Sequence, residues 1–166
     1  MSPRALAAEA LGTGLLLAAI VGSGLMAEQL THDVGLALLC NSIATGSMLI
    51  VLITILGPIS GAHFNPAVTL AFRLRGLIST RSAIAYVCCQ LAGAVFGTWV
   101  AHLMFGRTVF QLSGHLREGL PLSFAEAVAT FGLILTIFGT LRWKREGVSI
   151  AVGLYIVSAY WFTAST

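Results

Sequence analysis

Five apolar stretches, each close to the length of one bilayer crossing, dominate the sequence: Ala5–Ala27, Gly35–Gly57, Ser82–Phe105, Leu122–Leu141 and Gly147–Thr166. A spanning helix needs about 20 mostly apolar residues. Hydrocarbon offers no water to the backbone, so such stretches can only become helices or strands of a closed barrel. Runs of this length without alternation predict helices, and the fold class is an all-α membrane protein. Of the 166 residues 57% are apolar and 9% charged, against about 25% charged in ordinary globular chains. That leaves too little polar surface to wet a globule. It excludes a disordered chain, a nucleic-acid-binding module and an ordinary cytosolic enzyme.

Arg4 ahead of the first apolar run also suits a signal peptide. That run is too long for one and carries Glu9, so a span is the better reading. Cys40, Cys88 and Cys89 lie inside apolar runs, with no CxxC or Cys/His spacing. They read as small packing residues. The net charge of +3 is spread between the spans. Arg4, Arg73, Arg75, Arg81, Arg142, Lys144 and Arg145 fall on one side of the membrane, and only Arg107 and Arg117 on the other. Basic residues favour the cytoplasmic side, which predicts a cytoplasmic N-terminus in a multi-pass protein of the cell membrane, plasma or bacterial inner.

Between the second and third spans, Pro58–Thr80 is too apolar for a solvated loop and too short for a crossing. Asn65 is a good N-cap and Pro66 suits the first helical position. A short helix is therefore expected from Pro66 to about Leu74, fed by an irregular Gly-rich segment. Irregular backbone at membrane depth survives only when buried in protein or lining a water-filled cavity. The segment reads as a re-entrant half-helix.

The sequence also repeats itself. Ala8-Glu9-Ala10-Leu11-Gly12-Thr13 returns as Ala125-Glu126-Ala127-Val128-Ala129-Thr130, and Ala44-Thr45-Gly46 returns weakly as Ala151-Val152-Gly153. Three spans separate the two openings, so the second copy enters from the opposite face. Such inverted repeats place their solute site at the repeat interface near the midplane. The chain reads as one transmembrane domain, 1–166. Its first repeat is 1–106, and its second, 122–166, is partial, because the counterpart of Asn65 would fall near position 172, past the last residue. Small residues at four-residue spacing (Gly14, Ala18 and Gly22; Ala85, Cys89, Gly93, Gly97 and Ala101) predict close helix packing in lipid.

The segment Ser60-Gly61-Ala62-His63-Phe64-Asn65-Pro66-Ala67-Val68-Thr69 resembles the first Asn-Pro-Ala box of the aquaporin, or major intrinsic protein, family. Tyr86, Gln90, Gly93, Ala94 and the repeat-opening glutamates are similar to that family's pattern too. The resemblance covers the whole chain, but about two thirds of a full-length member. The second box, the sixth span and the filter arginine are not in it. The resemblance implies an aquaporin-like bundle with five spans and one half-helix, forming a passive channel for water and small neutral solutes. It implies that the pore is lined by Asn65, Pro66 and Ala67, with the carbonyls of Gly61, Ala62, His63 and Phe64 as acceptors. The Asn65 amide would donate to passing solutes.

An acidic group at mid-helix costs about 2.5–3.5 kcal/mol. The resemblance explains Glu9 and Glu126 as acceptors for the backbone of their own half's pore loop, with Gln90 supporting that loop. It also places Thr45 in the narrowest constriction, and Ser158 opposite it to within a turn. Two small hydroxyls there would make a wide polar filter, favouring glycerol or uncharged metalloid hydroxides. A homotetramer in the lipid bilayer is implied, and no nucleic-acid partner.

The rival reading is a truncated, non-conducting membrane protein of the same family. An intramembrane enzyme using Glu9, Glu126 or His63 ranks last. No nucleophile–base pair, phosphate loop or metal-ligand pair is found, and His32, His102 and His115 are scattered. No catalytic residue, metal or cofactor is expected.

Overall fold

The computed structural model describes residues 2–111 and 118–163. His115 and Arg117 lie outside the described residues. Six α-helices follow in order: α1 (Pro3–Leu30), α2 (Val34–Ser60), α3 (Pro66–Leu74), α4 (Thr80–Met104), α5 (Leu120–Trp143) and α6 (Val148–Phe162), with a short 3-10 turn at Arg145–Gly147. Among the described residues there is no strand. The molecule is an all-α bundle.

Local chemistry sets most helix starts. Ser2 caps α1 through Ala5 N at 3.2 Å, Asp33 caps α2 through Leu36 N at 2.9 Å, and Ser79 caps α4 through Ser82 N at 3.1 Å. Asn65 and Pro66 open α3. Helix α2 runs three residues beyond the expected end at Gly57, so the irregular segment shrinks to residues 61–65. Pro58 is accommodated in the last turn, and the helix stops where Gly61 turns left-handed at φ 89° and its N–H closes on the Gly57 carbonyl.

Among the described residues four helices, α1, α2, α4 and α5, are long and apolar enough to cross a membrane. The fifth expected span, Gly147–Thr166, is occupied by α6, whose 15 described residues fall short of a full crossing. The charged triplet Lys144-Arg145-Glu146 takes up the tight turn from α5, which delays the helix to Val148. At the other end Thr163 is already extended, and residues 164–166 lie outside the described residues.

Helix α1 packs on both α2 and α4, α2 on α6, and α6 on α5, while the short α3 touches α4 and α5. Two buried apolar clusters join these layers. One unites Leu16, Leu49, Leu52 and Phe64, and the other sets Val68 of α3 against Leu133, Ile137 and Val152. Outward rows such as Leu11 with Leu15, and Val51 with Ile55, are exposed and suit lipid.

Where helices approach most closely, the contact is backbone on backbone. A Cβ at Gly93 would collide with the Ala10 carbonyl, and one at Gly97 with the Gly14 carbonyl. Gly46 and Gly153 meet reciprocally, each Cβ falling 2.6 Å from the other's carbonyl oxygen. These two glycines are the ones that the weak internal repeat pairs in sequence.

Gly97→Val is expected to push α1 and α4 apart and to destabilise the fold by about 2 kcal/mol, since overpacked interiors commonly lose 1–3. Gly139→Val, at a helical glycine with nothing within 4 Å of an added Cβ, is the control. Thermal unfolding of the detergent-solubilised protein compares the two, and equal losses would refute the close-packing account.

Candidate pore and its supporting carboxylate

The irregular segment after α2 is held in a conformation that ordinary side chains avoid. Ala62 and Phe64 both have positive φ, 50° and 47°, beside Gly61 at 89°. Non-glycine residues in this region cost on the order of 1–3 kcal/mol each and persist only when their surroundings fix them. The fixing element is Glu9 of α1, which is 0% exposed. Its Oε1 accepts from Ser60 Oγ at 2.6 Å and His63 N at 3.0 Å. Its Oε2 accepts from Phe64 N at 2.9 Å and Gln90 Nε2 at 2.8 Å. All four partners donate, so the carboxyl acts purely as an acceptor at both oxygens. Bonds of this kind are roughly twice as strong as neutral ones.

A second ring of contacts surrounds it. Gln90 Nε2 also donates to Thr69 Oγ1 at 2.9 Å, and Thr69 Oγ1 meets His63 Nδ1 at 3.1 Å. Thr69 Oγ1 accepts from Gln90 and keeps a proton and a second lone pair for His63 Nδ1, so the contact suits either neutral tautomer of the ring. His63 further packs on Phe72, ring centroids 4.4 Å apart, and edge-on to Tyr86 at 5.4 Å. Tyr86 donates to the Ser60 carbonyl at 2.8 Å, pinning the end of α2. The Phe64 ring occupies the space that a side chain at Gly12 would fill.

The loop delivers Asn65 to the start of α3. Asn65 Oδ1 accepts from Ala67 N at 2.7 Å and Val68 N at 3.3 Å. Its oxygen is thereby spent on the helix, and its NH2 group remains as a pair of donors. The positive end of the α3 dipole lies at the same point.

Two cavities meet there. The larger, about 690 Å³, is walled by the late part of α1, the early parts of α2 and α5 and the late part of α6, with Glu28, Asn41 and Thr130 among its polar residues. The smaller, about 460 Å³, is lined by residues 61–65, Thr45, Val68, Phe72 and the later part of α5. Ile20, Asn65, Glu126, Leu133, Ile156 and Tyr160 border both. By helix direction, the smaller cavity lies toward the end of the bundle that carries Arg73, Arg75 and Arg142.

The structure brings together Gly61, Ala62, His63, Phe64, Asn65 and Thr45 around the smaller cavity, with Glu9 and Gln90 behind the loop. Pro66 and Ala67 belong to the first turn of α3 and do not line either cavity. Thr45 is buried, 2% exposed, and meets Tyr160 OH at 3.2 Å. Ser158 is exposed, and its hydroxyl donates to the Leu154 carbonyl at 3.0 Å, while Tyr160, within a turn of it, borders both cavities. Two residues along a helix rotate a side chain by about 200°, so Tyr160 rather than Ser158 shares the cavity face of Val152 and Ile156. That four-residue spacing was the available signal. Glu126 borders both cavities, is exposed, and has no hydrogen-bond partner among the described residues. No group of three metal-ligating side chains occurs among the described residues.

Membrane-length helices around a short capped half-helix, with two cavities bordering its start, define a multi-pass membrane protein. The major intrinsic protein family profile matches residues 1–165, and the chain belongs to that family. It is 58% identical over 159 residues to the aquaglyceroporin AqpS of Rhizobium meliloti strain 1021, covering 96% of this chain and 68% of that protein. It is 37% identical to aquaporin NIP1-1 of Zea mays and 35% identical to the lens fiber major intrinsic protein of Lithobates pipiens. Those two alignments cover 70% and 73% of this chain, and 43% and 49% of the relatives' lengths.

Glu9→Gln would turn an NH2 group toward neighbours that all donate. Breaking a buried charged network from one side costs about 3–5 kcal/mol, so the variant is expected to lose most of its monodisperse, detergent-extracted yield. Glu126→Gln, at an exposed site, is expected to change that yield little. Size-exclusion profiles of the two variants decide the matter, and a well-folded Glu9→Gln would overturn the account of the loop.

Proposed function

We propose that this chain forms the passage of a passive membrane channel for water and small neutral hydroxyl-bearing solutes. The observation that carries this reading is Asn65, whose oxygen is committed to capping α3 and whose amide hydrogens are left at the junction of two cavities. The positive end of α3 at that junction disfavours cations. The reciprocal contact of Gly46 with Gly153 supports the reading of two inverted copies, whose interface is where such folds place a solute site. The excess of basic residues at one end supports a cytoplasmic N-terminus, and the broad exposed apolar faces leave room for a homotetramer as well as for lipid.

For the solute, Thr45 supports a wide polar constriction on its side of the smaller cavity, a small hydroxyl where a bulky side chain would narrow it, while Tyr160 and not Ser158 faces it. Glycerol and uncharged metalloid hydroxides are the solutes this favours. That AqpS is named an aquaglyceroporin agrees with it. The competing reading, a family member that does not conduct, draws on Glu126, which stands in the passage without a partner among the described residues.

Reconstitution separates the two. Proteoliposomes are expected to swell in an isosmotic glycerol gradient faster than protein-free vesicles, and equal rates would establish the non-conducting reading. Asn65→Ala removes a cap, costing about 0.5–2 kcal/mol, together with the donor. Permeability per inserted molecule should fall while insertion, followed by membrane fractionation, persists. Thr45→Phe should restrict glycerol more than water in stopped-flow swelling. An equal effect on both solutes would count against the wide constriction.

A further inference from the structure

At the end of the bundle where α3 and α5 stop, guanidinium groups from two different helices converge on one turn. Arg75, at the C-cap of α3, sets its guanidinium carbon 5.2 Å from the centre of the Phe138 ring on α5. Arg142 follows Phe138 by four residues, about one turn, and its own guanidinium lies 5.2 Å from the centre of the Trp143 ring. Phe138 is held in turn by Phe72 of α3, ring centroids 5.0 Å apart. Like charges brought this close repel, yet among the described residues neither arginine has a carboxylate partner. Of the six acidic residues in the chain, Glu146 is the only exposed one at this end.

Two general reasons for basic residues here do not account for the pairing. Orientation in a membrane needs cations at this end, not two of them on one turn. The negative end of each helix dipole suits one cation, but it gives Arg75 no reason to reach from α3 onto α5. We propose that Arg75 and Arg142 form a binding site for the headgroup phosphate of an anionic membrane lipid. A guanidinium matches phosphate oxygens with paired N–H donors, and a phosphate shared by the two removes their repulsion. The surroundings favour a lipid over a dissolved anion. Trp143 and Leu74, next in sequence to the two arginines, are 81% and 78% exposed, and Leu77 is exposed as well. Apolar groups left uncovered at the end of a span lie where headgroups meet acyl chains, the level at which basic clusters attract anionic lipid. The site lies outside the passage and does not depend on whether the passage conducts.

Native mass spectrometry of the detergent-solubilised protein compares dioleoylphosphatidylglycerol with dioleoylphosphatidylcholine on the same preparation. The anionic lipid is expected to bind about twentyfold more tightly, roughly fivefold for each arginine. Both side chains are exposed, so Arg75→Gln and Arg142→Gln should fold, and each should cut the preference about fivefold with phosphatidylcholine binding unchanged. Arg81→Gln removes the same charge from the same end, but from α4 and outside the pair. It should leave the preference within about twofold. Equal affinity for the two lipids, or an unchanged preference in Arg75→Gln, overturns the site. A loss in Arg81→Gln as large as in Arg75→Gln overturns the pair and leaves only the general charge of this end. Displacement of phosphatidylglycerol by inorganic phosphate at matched concentration overturns the lipid as the occupant and identifies a dissolved anion instead.

Discussion

One buried carboxylate organises this molecule. Glu9 sits on an apolar helix where an acidic group would ordinarily be excluded, and it stays because four donors converge on its two oxygens. The dependence runs both ways. Without Glu9, the positive-φ backbone at Ala62 and Phe64 loses the acceptor of His63 N and Phe64 N. Without that backbone, the carboxyl has no donors at membrane depth and its burial is prohibitive. The position of Asn65, the dipole of α3 and the place where the two cavities meet all follow from this mutual fit.

The carboxylate can reach the loop only because the surrounding helices come unusually close. Gly93 and Gly97 bring α4 against the backbone of α1, which sets Gln90 beside Glu9 and Thr69. Association in lipid gains little from apolar burial, since hydrocarbon surrounds the helices whether or not they pack. Close van der Waals contact and interhelical hydrogen bonds must then supply the difference. The glycine pairs supply the first, and Glu9, Gln90, Asn41, Thr45 and Tyr160 the second.

Glu9 and Glu126 open similar sequence segments, yet they stand in opposite surroundings. One is sealed behind the loop and the other faces the passage, exposed. Similar local sequence therefore does not give similar chemistry. What differs is the set of donors that the tertiary fold places within reach of each carboxyl.

Local sequence determined the helices, because apolar length, cap residues and proline position act within a few residues of one another. The half-helix Pro66–Leu74 was legible from Asn65 and Pro66 alone, and the small-residue rows of α1 and α4 announced a close contact. Only the tertiary structure decided which side chains face the passage. Ser158 and Tyr160 lie two residues apart on α6; spacing sets Tyr160 on the face of Val152 and Ile156, but it is the packing of α6 on α2 that brings it to Thr45, while the Ser158 hydroxyl bonds to its own helix. The same holds for Ser60 and Thr69, which join the Glu9 network through partners 51 and 21 residues distant. A hydrogen bond between residues that far apart leaves no mark on either neighbourhood, so its geometry comes into being only when the helices meet.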